Sequence, residues 1–249
     1  MNYENHEKDE LIFGIRAVME AINAGKEIDR VLIKKGLEGE LYKEFFDLVR
    51  GRNVSFQFVP VEKLNRVTRK NHQGVVAYIS PVLFYKIEDL LPGWFEQGKS
   101  PMVLVLDQVS DVRNFGAIVR TAECAGADAV IIPEQGAAKI NADAVKTSAG
   151  ALHLLPVCRV KNVVDACMYL QHSGLKIIAA TEKSNDLYTA ADFTGPLAIV
   201  MGSEDKGIDR RILSLADQRV KIPILGKIES LNVSVAAALL VYEAVRQRS

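Results

Sequence analysis

Residues 102–122 read MVLVLDQVSDVRNFGAIVRTA, and this stretch decides the fold class. Its first five residues are all apolar, which is typical of a short strand that is buried on both faces. A polar loop follows, and then a helix that carries Arg120 about a turn and a half from its start. A buried strand followed directly by a helix is the repeating unit of a parallel sheet covered on both faces.

The same alternation continues to the end of the chain. Strands are predicted at residues 102–106, 129–132, 154–157, 176–180, 197–201 and 219–222, with helical stretches between them and a last helix over residues 231–248. We therefore predict one α/β domain with a parallel sheet over residues 101–249.

A smaller α/β unit is predicted in front of it. Helical spacing of apolar residues occurs at 14–24 and 41–49, and strand patterns occur at 30–34, 54–59 and 74–79. Prolines and glycines punctuate residues 81–100, which predicts a connector with a short amphipathic turn inside it. The expected domains are thus residues 1–80, beginning with a solvated tail over 1–10, a linker over 81–100, and residues 101–249.

Composition excludes several classes of protein. The 249 residues carry 31 basic and 31 acidic side chains, so bulk charge gives no argument for a nucleic-acid partner. No run of about 20 apolar residues occurs, so no membrane span is predicted. The start, MNYENHEKDE, lacks the basic residues and apolar run of a signal peptide, and we expect a cytoplasmic protein.

The cysteines and histidines predict neither disulfides nor a metal site. Cys124, Cys158 and Cys167 form no CxxC pair, which favours a reducing compartment and small buried side chains. The four histidines share no metal-ligand spacing with each other or with the cysteines.

Three polar loops follow predicted strands of the larger domain. They are the first loop (residues 107–114), the second loop (residues 202–207) and the third loop (residues 223–230). Because ligands of parallel sheets bind beyond the carboxyl ends of strands, we expect these loops to form the site.

Each loop alone also has an ordinary structural interpretation. Asn114 is expected to cap the helix that follows, with Arg113 and Arg120 as solvated cations or as anion-binding groups near the helix start. The second loop resembles a common strand-to-helix turn with Asp209 as the cap. In the third loop, Ser230 or Asn232 is expected to cap the last helix.

Taken together, the loops resemble one family. NFGAIVRTA (residues 114–122), MGSEDKGI (201–208) and IPILGKIESLNVSVAAALL (222–240) resemble the three motifs of the SpoU (TrmH-like) RNA ribose 2′-O-methyltransferases. FGIRAVMEAI (13–22) and NHQGVVA (71–77) resemble the L30e-like substrate-binding domain of that family.

The resemblance implies a SPOUT-type parallel sheet with a deep trefoil knot near the C-terminus, a homodimer, and S-adenosylmethionine as the cofactor. Knots are rare exceptions to the usual topology rules. The residues that match the family's catalytic or RNA-contacting positions are Asn114, Arg120, Glu204, Ser230 and Asn232. The cofactor-binding candidates are Gly202, Ile222 and Leu231, with Thr181 as a further one. No metal is implied, because the sulfonium already activates the methyl group.

The role of Arg120 has two interpretations. A ribose hydroxyl must lose its proton as it attacks a methyl group. The resemblance gives proton abstraction to this arginine, although an arginine pKa exceeds about 12. Alternatively, Arg120 binds an RNA phosphate and orients the hydroxyl while water takes the proton. Asn114 would fix Arg120 or the ribose by a hydrogen bond.

RNA contacts are predicted at basic residues. The front unit has a local surplus of positive charge just before Asn71, and the candidates are Arg66, Arg69, Lys70, His72 and, in the first loop, Arg113. A solvated basic face is the alternative interpretation.

The expected substrate is a guanosine in 23S ribosomal RNA. The alternatives are a transfer RNA methyltransferase of the same family and an inactive RNA-binding protein. A hydrolase lacks support because no GxSxG motif occurs.

Overall fold

A computed structural model describes residues 11–249, and the tail predicted over residues 1–10 lies outside them. The chain forms two compact units. The first extends to Leu83 and includes Ile140–Ala142, and the second contains Phe84–Lys139 and Asp143–Ser249.

The first unit is a small α/β unit as predicted, but its four-stranded sheet and three helices include a strand at Leu11–Phe13 and a helix at Val61–Val67 that the sequence pattern did not predict. Its strands are β1 (Leu11–Phe13), β2 (Ile28–Lys34), β3 (Phe56–Val59) and β4 (Val75–Ile79), in the order β1-β4-β2-β3. Its helices are α1 (Ile15–Asn23), α2 (Glu40–Gly51) and α3 (Val61–Val67). Only the pair β2–β3 is parallel among these strands. The core packs the apolar faces of α1 and α2, including Val18 and Phe45, against β2 and β4.

The second unit is built on a seven-stranded sheet whose neighbouring strands are all parallel, which confirms the predicted fold class. The strands are β5 (Phe84–Tyr85), β6 (Met102–Asp107), β7 (Ala129–Pro133), β8 (Val157–Val160), β9 (Lys176–Ala180), β10 (Leu197–Gly202) and β11 (Gln218–Val220). Their spatial order is β11-β9-β10-β6-β7-β8-β5. The helices are α4 (Ile87–Glu96), α5 (Val112–Cys124), α6 (Ala142–Thr147), α7 (Val163–His172), α8 (Arg210–Leu215) and α9 (Val233–Arg248).

In the second unit, two segments differ from the sequence prediction. The strand predicted at 154–157 lies at Val157–Val160, because Ala151–His153 form a 3-10 turn ahead of it. Residues 84–96, expected as part of a connector, form β5 and α4 of the second unit. Pro92 inside α4 costs roughly 3 kcal/mol. Burial of Ile87 and Leu91 contributes about 1.5–3 kcal/mol each, and together they offset this cost.

The thiols differ in their surroundings. Cys158 and Cys167 are buried as predicted, and burial raises the pKa of each to about 12. Cys124 is exposed at the end of α5, contrary to the prediction. No helix among residues 11–249 is long and apolar enough to cross a membrane.

Candidate functional site

The first and second loops start side by side at the carboxyl edge of the sheet. β6 and β10 are adjacent, and their last residues, Asp107 and Gly202, are paired in register. The third loop follows β11 and leads into α9, which packs against α5. The topology therefore brings together three loops that are far apart in the sequence.

The start of α5 is set by Asp111. Its carboxylate accepts the backbone N–H of Asn114 at 2.8 Å, so Asp111 is the N-cap. The prediction that Asn114 caps this helix is wrong, because Asn114 is already the third helical residue. Its side chain is consequently available for contacts with the other loops.

Gly202 is required by the path of the second loop. The loop folds back so that the Gly207 N–H donates to the Ser203 carbonyl at 2.9 Å. A Cβ on Gly202 would lie 2.2 Å from the carbonyl carbon of Gly207, which no real contact allows. The backbone at Gly207 thus lies too close to leave room for a side chain at position 202. The second loop, which carries Glu204, turns back over β10 at this point.

Asn232 is the cap of α9, one of the two candidates that the sequence suggested. Its Oδ1 accepts the N–H of Ser234 at 2.9 Å and the Ser234 hydroxyl at 2.6 Å. Its Nδ2 remains a donor. It lies 2.9 Å from Oδ1 of Asn114 and 3.2 Å from Oε1 of Glu204.

Asn114, Glu204 and Asn232, hereafter the triad, form one hydrogen-bonded group. Asn114 Nδ2 donates to Glu204 Oε1 at 3.3 Å, and the Val233 N–H donates to the same oxygen at 3.4 Å. One carboxylate oxygen thus accepts from the first loop and from the start of α9. The structure brings together these three candidates, which lie in three separate motifs of the sequence.

Two other catalytic candidates stand apart from this group. Arg120 is exposed on α5, and within residues 11–249 its guanidinium makes no hydrogen bond or ion pair. The hydrogen bond expected between Asn114 and Arg120 is not among the contacts of the described residues, since Asn114 bonds Glu204 and Asn232 instead. Ser230 is exposed two residues before the cap of α9.

Three of the cofactor candidates lie at or just after the ends of neighbouring strands, and Leu231 directly precedes the cap of α9. Thr181 follows β9, and its N–H donates to the Val220 carbonyl of β11 at 2.9 Å. Ile222 is half-buried and Leu231 is 37% exposed. The third loop between them exposes further apolar side chains, Ile224, Leu225 and Ile228. Backbone groups together with apolar side chains suit a nucleoside, whose flat base buries apolar surface while its edge forms hydrogen bonds.

A carboxylate that the sequence analysis missed lies beneath the loops. Asp107 is 4% exposed, and its Oδ2 accepts the Asp209 N–H at 2.7 Å. Burial raises the pKa of this carboxyl, and the Asp209 N–H opposes that rise. The available signal was an acidic residue directly after an apolar strand.

The RNA-binding candidates of the first unit divide into two groups. Arg66, Arg69 and Lys70 are exposed, and the Lys70 ammonium lies 5.5 Å from the centre of the Phe13 ring. His72 has both ring nitrogens engaged: Nδ1 accepts the Gly74 N–H at 3.0 Å, and Nε2 lies 2.9 Å from Asn65 Oδ1. Its contacts within the chain hold the loop that carries the basic residues.

In the second unit, the remaining RNA candidate, Arg113, is exposed at the start of α5. Across residues 11–249, no group of three or more His, Cys, Asp or Glu residues is arranged to hold a metal ion.

Comparisons with known proteins match both units. The family described as "SpoU rRNA Methylase family" matches residues 101–242, and "RNA 2'-O ribose methyltransferase substrate binding" matches residues 11–85. A TrmH family tRNA/rRNA methyltransferase of Bacillus subtilis strain 168 is 30% identical over 243 residues, covering 98% of each chain.

Solved structures share the fold. An AdoMet-bound rRNA methyltransferase from Sinorhizobium meliloti has a TM-score of 0.61 at 23% identity, covering 95% of this chain and 87% of that one. An RNA 2′-O ribose methyltransferase has a TM-score of 0.56 at 26% identity, covering 95% and 88%. The resemblance inferred from the motifs is confirmed.

Proposed function

Since this chain belongs to the SpoU (TrmH-like) family of RNA methyltransferases, we propose that it transfers a methyl group to a ribose 2′-hydroxyl of RNA. The observation that carries the proposal is the triad, in which three loops of the matched family region are joined by hydrogen bonds. The substrate that we favour is a guanosine of 23S ribosomal RNA.

The methyl donor in this proposal is S-adenosylmethionine, which supplies a methyl group already activated on a sulfonium. Backbone groups of Gly202, Ile222 and Leu231 would hold its nucleoside, with Thr181 at the side of the pocket. Apolar side chains of the third loop would cover the base. The donor set fits because it combines backbone hydrogen-bonding groups with exposed apolar surface.

Arg120 is the residue that we assign to the acceptor hydroxyl. Because arginine stays protonated under ordinary conditions, we infer that it binds the adjacent phosphate and orients the hydroxyl, whose proton passes to water. Its exposure, and the lack of an ion pair within residues 11–249, support a role toward RNA. Direct proton abstraction by Arg120 is the alternative.

The triad has a positioning role in this mechanism. Glu204 fixes the orientation of both amides, so their free lone pairs and N–H groups face the ribose in a set geometry. Ser230, exposed ahead of the α9 cap, is proposed as a further RNA or cofactor contact.

The first unit is proposed to dock ribosomal RNA through Arg66, Arg69 and Lys70. Exposed cations exchange their counterions for phosphates, so each contact steepens the salt dependence of binding. Changing all three to Gln should weaken RNA binding and reduce the salt slope by about 3. The matched control changes Lys26, Lys43 and Arg52, which are also exposed cations of this unit, to Gln. Equal affinity of the two triple variants would contradict docking at this patch.

A homodimer is proposed through the exposed face of α9. Val235, Leu239 and Tyr242 are 49%, 36% and 49% exposed, and with Tyr188 they line a groove of about 420 Å³. Exposed apolar surface of this kind favours a self-complementary contact. Sedimentation should show a dimer for the wild type and a monomer for Val235→Asp. Met168→Asp on α7, an equally apolar and 44% exposed site, is the control and should stay dimeric.

The deciding experiment supplies radiolabelled S-adenosylmethionine with 23S ribosomal RNA or with bulk transfer RNA. We expect methylation of ribosomal RNA at a ribose, followed by mapping of the site in RNA from a deletion strain. Labelling of transfer RNA alone would establish the alternative substrate. Labelling of neither RNA would favour an inactive RNA-binding protein.

We further propose that the C-terminal segment forms a deep trefoil knot and that the enzyme works in the cytoplasm.

A further inference from the structure

Asp107 is a buried carboxylate that the family motifs and the proposed mechanism do not use. It is the last residue of β6 and is paired in register with Gly202, the last residue of β10. Only 4% of its surface is exposed, although aspartate side chains are almost never fully buried without a partner. A specific partner is therefore expected.

That partner belongs to the neighbouring loop. The Asp107 Oδ2 accepts the backbone N–H of Asp209 at 2.7 Å, across 102 residues of sequence. Asp209 is the N-cap of α8 and lies two residues after the end of the second loop. One hydrogen bond thus ties the start of the first loop to the far end of the second, and these loops carry Asn114 and Glu204.

Stability alone does not explain a carboxylate at this position. Burial raises the pKa of Asp107 and the charge of Asp209 adds to that rise, while the Asp209 N–H, the Gln108 side chain and the charge of Arg211 oppose it. A buried charge costs free energy that an apolar residue of similar volume avoids. The next residue, Gln108, has a φ of 59°, a left-handed conformation that a non-glycine residue rarely adopts. Buried charges and strained backbone conformations of this kind cluster at functional sites.

We infer that Asp107 is a positioning residue for methyl transfer, which anchors the second loop so that Glu204 reaches Asn114 and Asn232. Its backbone lies beside Gly202 across the sheet, and its carboxylate hydrogen-bonds none of the triad side chains but acts through the backbone of Asp209. The expected loss of kcat rests on the proposed function. The expected change in the geometry of the triad can be measured without any activity.

The first test compares Asp107→Ala with Asp107→Asn. Alanine removes the acceptor, and a loop displaced by about 1 Å lowers kcat by roughly 10- to 100-fold. The KM values for S-adenosylmethionine and RNA should change far less than kcat. Asparagine keeps an oxygen that accepts the same N–H, so kcat should recover to within a few-fold of wild type. Denaturant unfolding of every variant corrects for any loss of folded protein.

The second test removes the donor instead of the acceptor. The φ of Asp209 is −52°, which proline can adopt, so Asp209→Pro deletes the N–H at compatible backbone geometry. Asp209→Ala loses the same cap side chain but retains the N–H, and it is the matched control. We expect Asp209→Pro to lose kcat relative to Asp209→Ala by the factor seen in Asp107→Ala.

The third test reads the triad directly. The side-chain amide signals of Asn114 and Asn232 in a ¹⁵N-resolved spectrum should move toward solvent-exposed positions in Asp107→Ala and stay in place in Asp107→Asn. If these signals are unchanged in Asp107→Ala, or if Asp107→Asn loses as much kcat as Asp107→Ala, the inference is overturned. A wild type that methylates no RNA would instead refute the proposed function, and the amide signals would still decide the role of Asp107.

Discussion

The triad and Arg120 belong to the same unit, yet they differ in how much of their geometry the chain itself holds. Each triad side chain bonds another, and one oxygen of Glu204 accepts three N–H groups. Arg120 is exposed and makes no hydrogen bond or ion pair within residues 11–249. The chain therefore orients the amides of Asn114 and Asn232 before RNA binds, and it leaves the Arg120 guanidinium available for an anion.

This difference separates two kinds of contribution to catalysis. Side chains fixed before substrate binds need no reorganisation during the reaction. A long flexible cation that binds a phosphate gains its position only from the RNA. Substitutions in the two groups should consequently differ in size and in which kinetic constant they change.

Arg120→Ala should produce the largest effect. Without the guanidinium, the RNA phosphate loses its anchor and the ribose hydroxyl loses the orientation that this anchor gives it, so methyl transfer should fall by roughly 10²–10⁴-fold. Affinity for S-adenosylmethionine, measured by calorimetry, should change little because the cofactor candidates lie elsewhere. Arg120→Lys keeps the charge and should retain part of the activity if phosphate binding is the main role. Near-normal turnover of Arg120→Ala would remove this residue from the mechanism.

Glu204→Ala should have the next largest effect, because it breaks the part of the site that the chain organises. Loss of the shared acceptor leaves the two amides joined to each other but no longer held by the second loop, and kcat should fall about 10- to 100-fold. Glu204→Gln retains an oxygen and should lose less. Asp205→Ala, at the exposed neighbouring position, is the control and should keep wild-type kcat. Equal rates for Glu204→Ala and Asp205→Ala would show that the triad is a folding feature only.

Gly202→Ala tests whether the loop path itself matters. The new Cβ would lie 2.4 Å from the carbonyl oxygen of Gly207, so the second loop must move. The free energy of unfolding should fall by about 1–3 kcal/mol, with a loss of kcat smaller than that of Glu204→Ala. Gly93→Ala in α4, where an added Cβ has no neighbour within 4 Å, is the control and should unfold like wild type or later. Equal stability of the two variants would contradict the required close approach.

The sequence predicted the features that depend on the pattern of residues close together in the chain. The central strands are mostly apolar because both sheet faces are covered, so their positions were readable, as at Ala129–Pro133. The loops were readable too, because the polar residues directly follow those strands. The cap of α5 was misassigned because Asp111 and Asn114 both suit an N-cap, and only the helix start distinguishes them. Asp107 was missed because its partner lies 102 residues away.

The smallest effect is expected from Asp209→Asn, which tests the ion pair between Asp209 and Arg211 through its dependence on pH. Hydrogen bonds from Arg211 hold the pKa of Asp209 below its usual value. A lowered pKa in the folded state stabilises the protein above the unfolded-state pKa, and this contribution is lost as the pH falls through the folded-state value. Asparagine keeps the oxygen that caps α8 and loses the charge together with the oxygen that accepts the Arg211 Nη2–H. At pH 7 the variant should therefore unfold at a slightly lower urea concentration than wild type, and the difference should shrink toward pH 3. A difference that stays constant with pH would mean that the Arg211 pair contributes nothing, and that the cap and the Asp107 bond alone hold the start of α8.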